Sequence, residues 1–176
     1  MKIVLSPDPV LRTSCTKIER VDNQIKKLAK DMAKTMYKAG GVGLAAPQVG
    51  KAIRLIVVDT EYDGHTKKNP LTLINPQIVD ASQVMIDSEE GCLSIPGISV
   101  SVKRHQSVVV RALNLNGDEI EIEAADDLFC RCLQHEIDHT NGITLFERLD
   151  PLARLKALEA YEAALAAGAQ PGSTGV

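Results

Sequence analysis

The chain has no tryptophan, and aromatic residues supply only 3% of its 176 positions. Its core must therefore be assembled from Val, Ile, Leu and Ala. No apolar run approaches the roughly 20 residues that a membrane-spanning helix needs, so no membrane partner is expected. Met1-Lys2-Ile3-Val4-Leu5-Ser6 is too short an apolar stretch for a signal peptide and gives way at once to prolines. There is no surplus of positive charge either. Twenty Lys and Arg against 23 Asp and Glu leave a net charge of -3, with no basic stripe of the kind that nucleic-acid binding uses. The four cysteines, at 15, 92, 130 and 132, are irregularly spaced and suggest reduced thiols in a cytoplasmic protein, one of them available to a metal.

What is present is ordinary in bulk, with 44% hydrophobic and 24% charged residues, and is long enough for one domain with a real core. The unusual stretch is Gln134-His135-Glu136-Ile137-Asp138-His139. On a helix, residues four apart project from one face, about 40° apart around the axis. His135 and His139 could thus share one divalent metal, and Glu136, at the edge of that face, could take a proton from a metal-bound water without being a ligand. Two histidines leave such a site incomplete, and a third ligand is needed.

The remaining elements follow from spacing. Residues 6–16 are punctuated by prolines and read as irregular. Asp22 can cap a helix in which Ile25, Leu28, Met32 and Met36 recur at helical spacing, and Gly40-Gly41 stops it. Gly41-Val42-Gly43-Leu44-Ala45-Ala46-Pro47-Gln48 is either a glycine turn before a strand or a segment that another backbone can approach closely. Strands are expected over Ala52–Thr60, over Leu71–Val79 with Asn75-Pro76 marking an edge or a bend, and briefly over Val84–Asp87. His65, in the polar loop between the first two, reads as solvated. Residues 98–123 read as a meander of three strands closed by an Asn116-Gly117 hairpin. Asp126 can cap the histidine helix, on which Leu128, Arg131, Cys132, His135 and His139 share a sector of about 100°. A last helix runs from Asp150-Pro151 to about Ala167. This makes an α+β domain over 1–168, with 169–176 expected to be a disordered tail. Cys92, between a glycine and a proline in Glu90-Gly91-Cys92-Leu93-Ser94-Ile95-Pro96, would in isolation be a small buried hydrophobe.

Taken together and in order, Gly41–Gln48, Glu90–Ser94 and Gln134–His139 resemble the motifs of the peptide deformylase family, which removes the formyl group from formyl-methionyl nascent chains. The likeness covers roughly residues 1–150. It implies antiparallel sheets packed around a central metal-binding helix, with one helix near each terminus. It implies Cys92, His135 and His139 as metal ligands, with Fe(II) the usual ion and nickel, cobalt or zinc able to replace it. It implies Glu136 as general base, and Gln48 with the Leu93 N–H as donors to the oxyanion. Gly43 and Gly91 would lie along the substrate, Glu90 and Arg104 would pair beside it, and Val42, Leu128, Arg131 and Cys132 would surround the methionine side chain. The substrate implies transient proximity to the ribosome.

Some positions depart from the family pattern. Thr140 stands in place of a leucine, Arg131 makes the pocket rim more polar, and Ser88 replaces an aliphatic residue expected to close the pocket. The last helix carries Glu159 and Glu162 beside Arg154 and Lys156, so docking on the ribosome through a basic extension is not expected. Two other readings remain open at this point. One is a zinc endopeptidase, which shares the His-Glu-x-x-His arrangement. The other is a metal-stapled binding module, in which Cys132 would have to be the fourth ligand.

Overall fold

A computed structural model of the chain describes residues 1–173. Helix α1 (Asn23–Lys38) begins where the Asp22 carboxylate accepts the N–H groups of Gln24 and Ile25, as its sequence predicts. Five strands form one antiparallel sheet in the order β1 (Gly43–Ala45), β2 (Leu55–Val58), β3 (Leu71–Ala81), β6 (Ser107–Leu113), β7 (Glu119–Ala125). Between β3 and β6 in the chain, β4 (Met85–Cys92) and β5 (Ile95–His105) pair only with each other. Helix α2 (Leu128–Thr140), the short α3 (Leu145–Arg148) and α4 (Pro151–Ala166) complete the chain.

Strand β2 explains the layering. All four of its residues are buried, and its alternation sends Leu55 and Val57 to one face and Ile56 and Val58 to the other. The first pair packs with Met32 and Met36 of α1 and with Leu44 and Ile74. The second packs with Leu133 and Ile137 of α2, together with Leu73, Val108 and Val110. The sheet therefore separates the two helices and is apolar on both sides. A third cluster joins Ile95, Ile98 and Val102 of β5 to Phe146 of α3 and Tyr161 of α4. Each such side chain removed from water contributes about 1.5–3 kcal/mol before entropy is counted.

Several expectations change. The meander over 98–123 is broken, because β5 leaves the five-stranded sheet and β6 crosses to pair with β3. The physical reason lies in β4, which runs far beyond Asp87 and turns Ser88, Glu90 and Cys92 to one buried face. That face is polar and needs polar partners, which a sheet core lacks. Asn75-Pro76 marks a bend and not an edge. Asn75 has φ 53 within the central strand β3, and its side chain bonds both the N–H and the carbonyl of Ile18. The buried strand expected over 52–60 is shorter, and the cap of α2 is Asp127, with Asp126 taking φ 58 just before it.

The glycine- and proline-containing tail, expected to be disordered from Ala169, is laid back onto the molecule as far as Ser173, whose carbonyl accepts the N–H of Gly97 at 3.1 Å. Its last three positions, 174–176, lie outside the described residues. Among the described residues no helix is long and apolar enough to cross a membrane.

Candidate active site

Every residue of α2 from Cys132 to Thr140 is buried, although Gln134, His135, Glu136, Asp138, His139 and Thr140 are polar. Such a helix is stable only if its polar atoms find partners. They come from the β4–β5 ribbon. Arg104 sends Nε and Nη2 to the two carboxylate oxygens of Glu90 at 2.7 and 2.8 Å, and Nη1 to Asp138 at 2.6 Å. Asp138 is also paired with Arg148 of α3. Two carboxylates thus face two guanidinium groups. Burial pushes the Glu90 carboxyl up, but the hydrogen bonds from Arg104 and His135 outweigh it and hold it down at about 2.

Glu90 does one thing more, accepting from His135 Nδ1 at 2.9 Å. That fixes the ring and leaves Nε2 for a ligand. His139 sits one turn on, its ring centroid 4.9 Å from that of His135, and its Nε2 lies 3.3 Å from Cys92 Sγ. Burial, and then the charges of His135 and Arg104, lower the His139 pKa well below its ordinary value, so its ring is neutral and offers a lone pair. Ligand atoms of Cys92, His135 and His139 all lie within 4.8 Å of one another, and this set could hold a metal ion. The donors are those a tetrahedral site uses, three from the protein with one position free. Cys132 falls outside the set. Its thiol points to the Val42 carbonyl at 3.7 Å, so among the described residues Cys132 does not supply the fourth ligand that a closed, purely binding site would take from it. Cys130 turns away toward the Gln106 carbonyl.

Two groups aim into the same space. Glu136 is 4% exposed, and its Oε2 is buried without a hydrogen-bond partner. Burial is the chief cause that pushes its carboxyl up to about 7. Gln48 is 1% exposed and is oriented by the Ala45 N–H, which donates to Oε1 at 2.8 Å. Its Nε2 is thereby turned toward Cys92 Sγ at 3.6 Å and Ser94 Oγ at 3.3 Å.

These groups open into a cavity of about 290 Å³. One bank is the chain from Gly40 to Gly43, at the free edge of the five-stranded sheet. Strand β1 lies so close to α2 that a Cβ on Gly43 would stand 2.6 Å from Cys132 Sγ and nearer still to Glu136. Only glycine fits. The other bank is Glu89–Leu93 with Ile98 and Ser99. Of the residues named from sequence, Val42, Gly43, Gln48, Glu90, Gly91, Cys92, Leu93, Leu128, Arg131, Cys132, His135 and Glu136 all line this cavity. Arg104 and His139 do not. Arg104 acts through Glu90 and Asp138, and His139 lies deeper at 1% exposure. Ser88 is buried outside the cavity wall, so its hydroxyl does not open the pocket. Arg131 lines the cavity. Asp138, Arg148, Ser94 and the tail residues Gly172 and Ser173 were not anticipated. Asp138, within the histidine motif, and Ser94, at the end of the Glu90–Ser94 motif, carried a signal that could have found them, and the others carried none.

Residues 1–155 match the sequence profile described as polypeptide deformylase. The chain is similar to the peptide deformylase of Thermodesulfovibrio yellowstonii, 48% identical over 154 residues that cover 88% of this chain and 92% of the relative. It is also similar to that of Bartonella bacilliformis, 41% identical over 91% of this chain and 90% of the relative. Among solved structures, a peptide deformylase from Legionella pneumophila superposes with a TM-score of 0.86 at 41% identity, covering 95% of this chain and 97% of the other. One from Synechococcus elongatus in complex with actinonin gives 0.85 at 38% identity, covering 90% and 86%. With the profile spanning most of its length and relatives of this closeness, the chain belongs to the peptide deformylase family of hydrolases.

Proposed function

We propose that this chain removes the formyl group from N-terminal formyl-methionine of nascent polypeptides and releases formate, with Glu136 as general base. The observation that carries this reading is the buried, unpartnered Oε2 of Glu136, in a cavity that Cys92 and His135 also line, with the third donor, His139, beside them in the same cluster. Those three residues would hold one divalent metal. Thiolate ligation and the family resemblance favour Fe(II), with nickel, cobalt or zinc able to replace it. When bound, the ion supplies Lewis acidity to a water and to the formyl carbonyl.

The chain's own residues do the rest. Glu136 takes the proton of the attacking water and returns it to the departing amine. A carboxyl held near neutrality by burial suits both steps. Gln48 Nε2 and the Leu93 N–H donate to the oxygen on which charge develops, with Gln48 already aimed by Ala45. The edge of β1 at Gly43 offers backbone groups to the substrate, and Gly91 lies opposite. Val42, Leu128, Arg131 and Cys132 take the methionine side chain, while Glu90 and Arg104 keep His135 oriented. Residues 1–168 act as one catalytic unit in the cytoplasm, close to ribosomes but without a basic docking surface.

Formate release from formyl-Met-Ala-Ser and from acetyl-Met-Ala-Ser tests the reading. A formyl group presents hydrogen where acetyl presents a methyl, which crowds the attacked carbon and makes it less electrophilic. The acetyl peptide should therefore be a very poor substrate, the difference lying in kcat/KM. Glu136→Gln should keep the metal and the fold and lose ~10² to 10⁴ in rate. Comparable rates on the two peptides would revive the general metallopeptidase.

A further inference from the structure

The cavity has a third boundary with no part in the chemistry above. Beyond α4 the chain turns back on itself. The Ala169 N–H donates to the Ala164 carbonyl at 2.9 Å, the Gln170 N–H to the Ser173 hydroxyl at 3.0 Å, and the Ser173 N–H to the Gln170 carbonyl at 2.8 Å. This places Gly172 and Ser173 on the cavity wall. Gly172 adopts φ +95 against the end of α1, where any side chain would run into the Ala39 carbonyl. Ser173 is held on the opposite side by the Gly97 N–H at 3.1 Å. Ala39 leads into one bank at Gly40, and Gly97 leads into the other at Ile98 and Ser99. The tail therefore crosses from bank to bank.

The crossing lies away from the catalytic groups. At the inner end, Ala45, Ala46, Pro47 and Gln48 are all buried, so an extended peptide beside Gly43 can leave only toward Gly41 and Gly40. With its formyl group toward Glu136 and a rise of about 3.3 Å per residue, it meets the tail about two or three residues beyond its methionine. There the onward path of the peptide and the Gly172–Ser173 segment run along the same stretch of cavity wall.

Resting on the deformylase reading, we propose that Pro171–Ser173 is a specificity-determining element that closes the downstream end of the substrate groove, so that longer formyl peptides bind only by displacing it. The chain ended at Gln170 keeps the bond from Ala169 to Ala164 and lacks the crossing segment. Gly172→Val keeps full length but forces the segment off Ala39. Each is compared with the parent on formyl-Met-Ala and on formyl-Met-Ala-Ser-Ala-Val. The ratio of kcat/KM for the long peptide over the short one should rise about fivefold in both variants, the factor set by the one net hydrogen bond, from the Gly97 N–H to the Ser173 carbonyl, that a long peptide must break to displace the tail. The change should lie in KM and not in kcat. A merely supporting role for the tail would move both substrates together and leave the ratio constant, which would overturn the proposal. Affinities for the product peptides Met-Ala and Met-Ala-Ser-Ala-Val, measured by calorimetry on the same proteins, read the groove without turnover and should show the same ratio. Absence of formate release by the parent protein would count against the deformylase reading, while the product affinities would still decide the role of the tail.

Discussion

The two banks of the cavity are built on opposite principles. From Gly40 to Gly43 the wall is backbone with almost no side chain, and its position depends on how near α2 can come. From Glu89 to Leu93 the wall is the end of a buried ionic network, and its position depends on Arg104 satisfying Glu90 and Asp138 together. The first is held by steric exclusion, where one added methyl has nowhere to go. The second is held by charge balance, where one removed charge strands its partners. The two kinds of support should fail in different ways when broken.

The largest effect is expected on the charged bank. Arg104→Leu leaves two buried carboxylates without their shared guanidinium, and breaking a buried pair in this way costs about 3–5 kcal/mol. Urea unfolding followed by circular dichroism should show it. Adding Glu90→Gln and Asp138→Asn to that variant should recover most of the loss, because no carboxylate is then left buried without a partner and Arg148, which loses Asp138, is 41% exposed to water. A triple variant no more stable than the single one would show that the network's charges are not what holds this bank.

On the glycine bank, Gly43→Ala should cost about 1–3 kcal/mol in stability, as overpacking does. Its effect on turnover should be larger than this, on the order of 10²-fold, because the displaced neighbour is Glu136 itself. A loss of kcat/KM far larger than the modest drop in melting temperature would fit. Loss of both in proportion would mean that the close approach serves the fold alone.

Glu90→Gln is smaller in stability but sharper in meaning. Glutamine keeps one acceptor for His135 Nδ1 and removes the charge, so metal affinity should fall 10- to 100-fold in competition with a chelator, as for other partners of metal-bound histidines.

The smallest effect concerns the one charged anchor of the glycine bank. The Val42 carbonyl accepts from the Asp59 N–H at 2.8 Å, and the Asp59 carboxylate takes the Tyr37 hydroxyl and the Asn69 N–H. Burial pushes that carboxyl up, but the Tyr37 and backbone donors outweigh it and leave it below its ordinary value. A group whose folded pKa is depressed contributes stability above the unfolded value, about 3.9 for aspartate, and loses it as pH falls through the folded one. Stability should therefore fall with acidification below about pH 4, and Asp59→Asn should flatten that part of the curve. Tyr37→Phe should lower the neutral-pH stability by about 0.5–1.5 kcal/mol.

Much of this architecture is legible in local sequence. Asp22 and Asp150 cap their helices as their positions predict, the Met32 and Met36 stripe is the buried side of α1, and the three motif stretches do meet at one cavity. What could not be read is whatever depends on partners distant in the chain. Arg104 bonds Glu90 across 14 positions and Asp138 across 34; nothing near any of the three announces the others, so the first pairing is legible only through the family resemblance and the second not at all. The polar run in α2 has the composition of a surface helix, and only those partners explain its burial. The departure of β5 from the sheet has the same origin, since alternating Ile98, Val100 and Val102 would suit either pairing. The return of the tail rests on one hydrogen bond and one glycine fit, too slight to show in composition.

The burial of α2 also governs how the molecule opens. A helix of 13 residues is marginal in water by itself, and the apolar stripe of this one, Phe129, Cys130, Leu133 and Ile137, covers only the side that meets the sheet and leaves its buried polar side to other partners. It becomes stable only when sheet, ribbon and α3 have closed around it, so its turns are not expected to fray one at a time. In deuterated solvent the amide protons from Cys132 to Thr140 should be among the slowest to exchange, released only by excursions that unfold most of the molecule. The segment that carries the reactive groups should thus be among the quietest of the described residues.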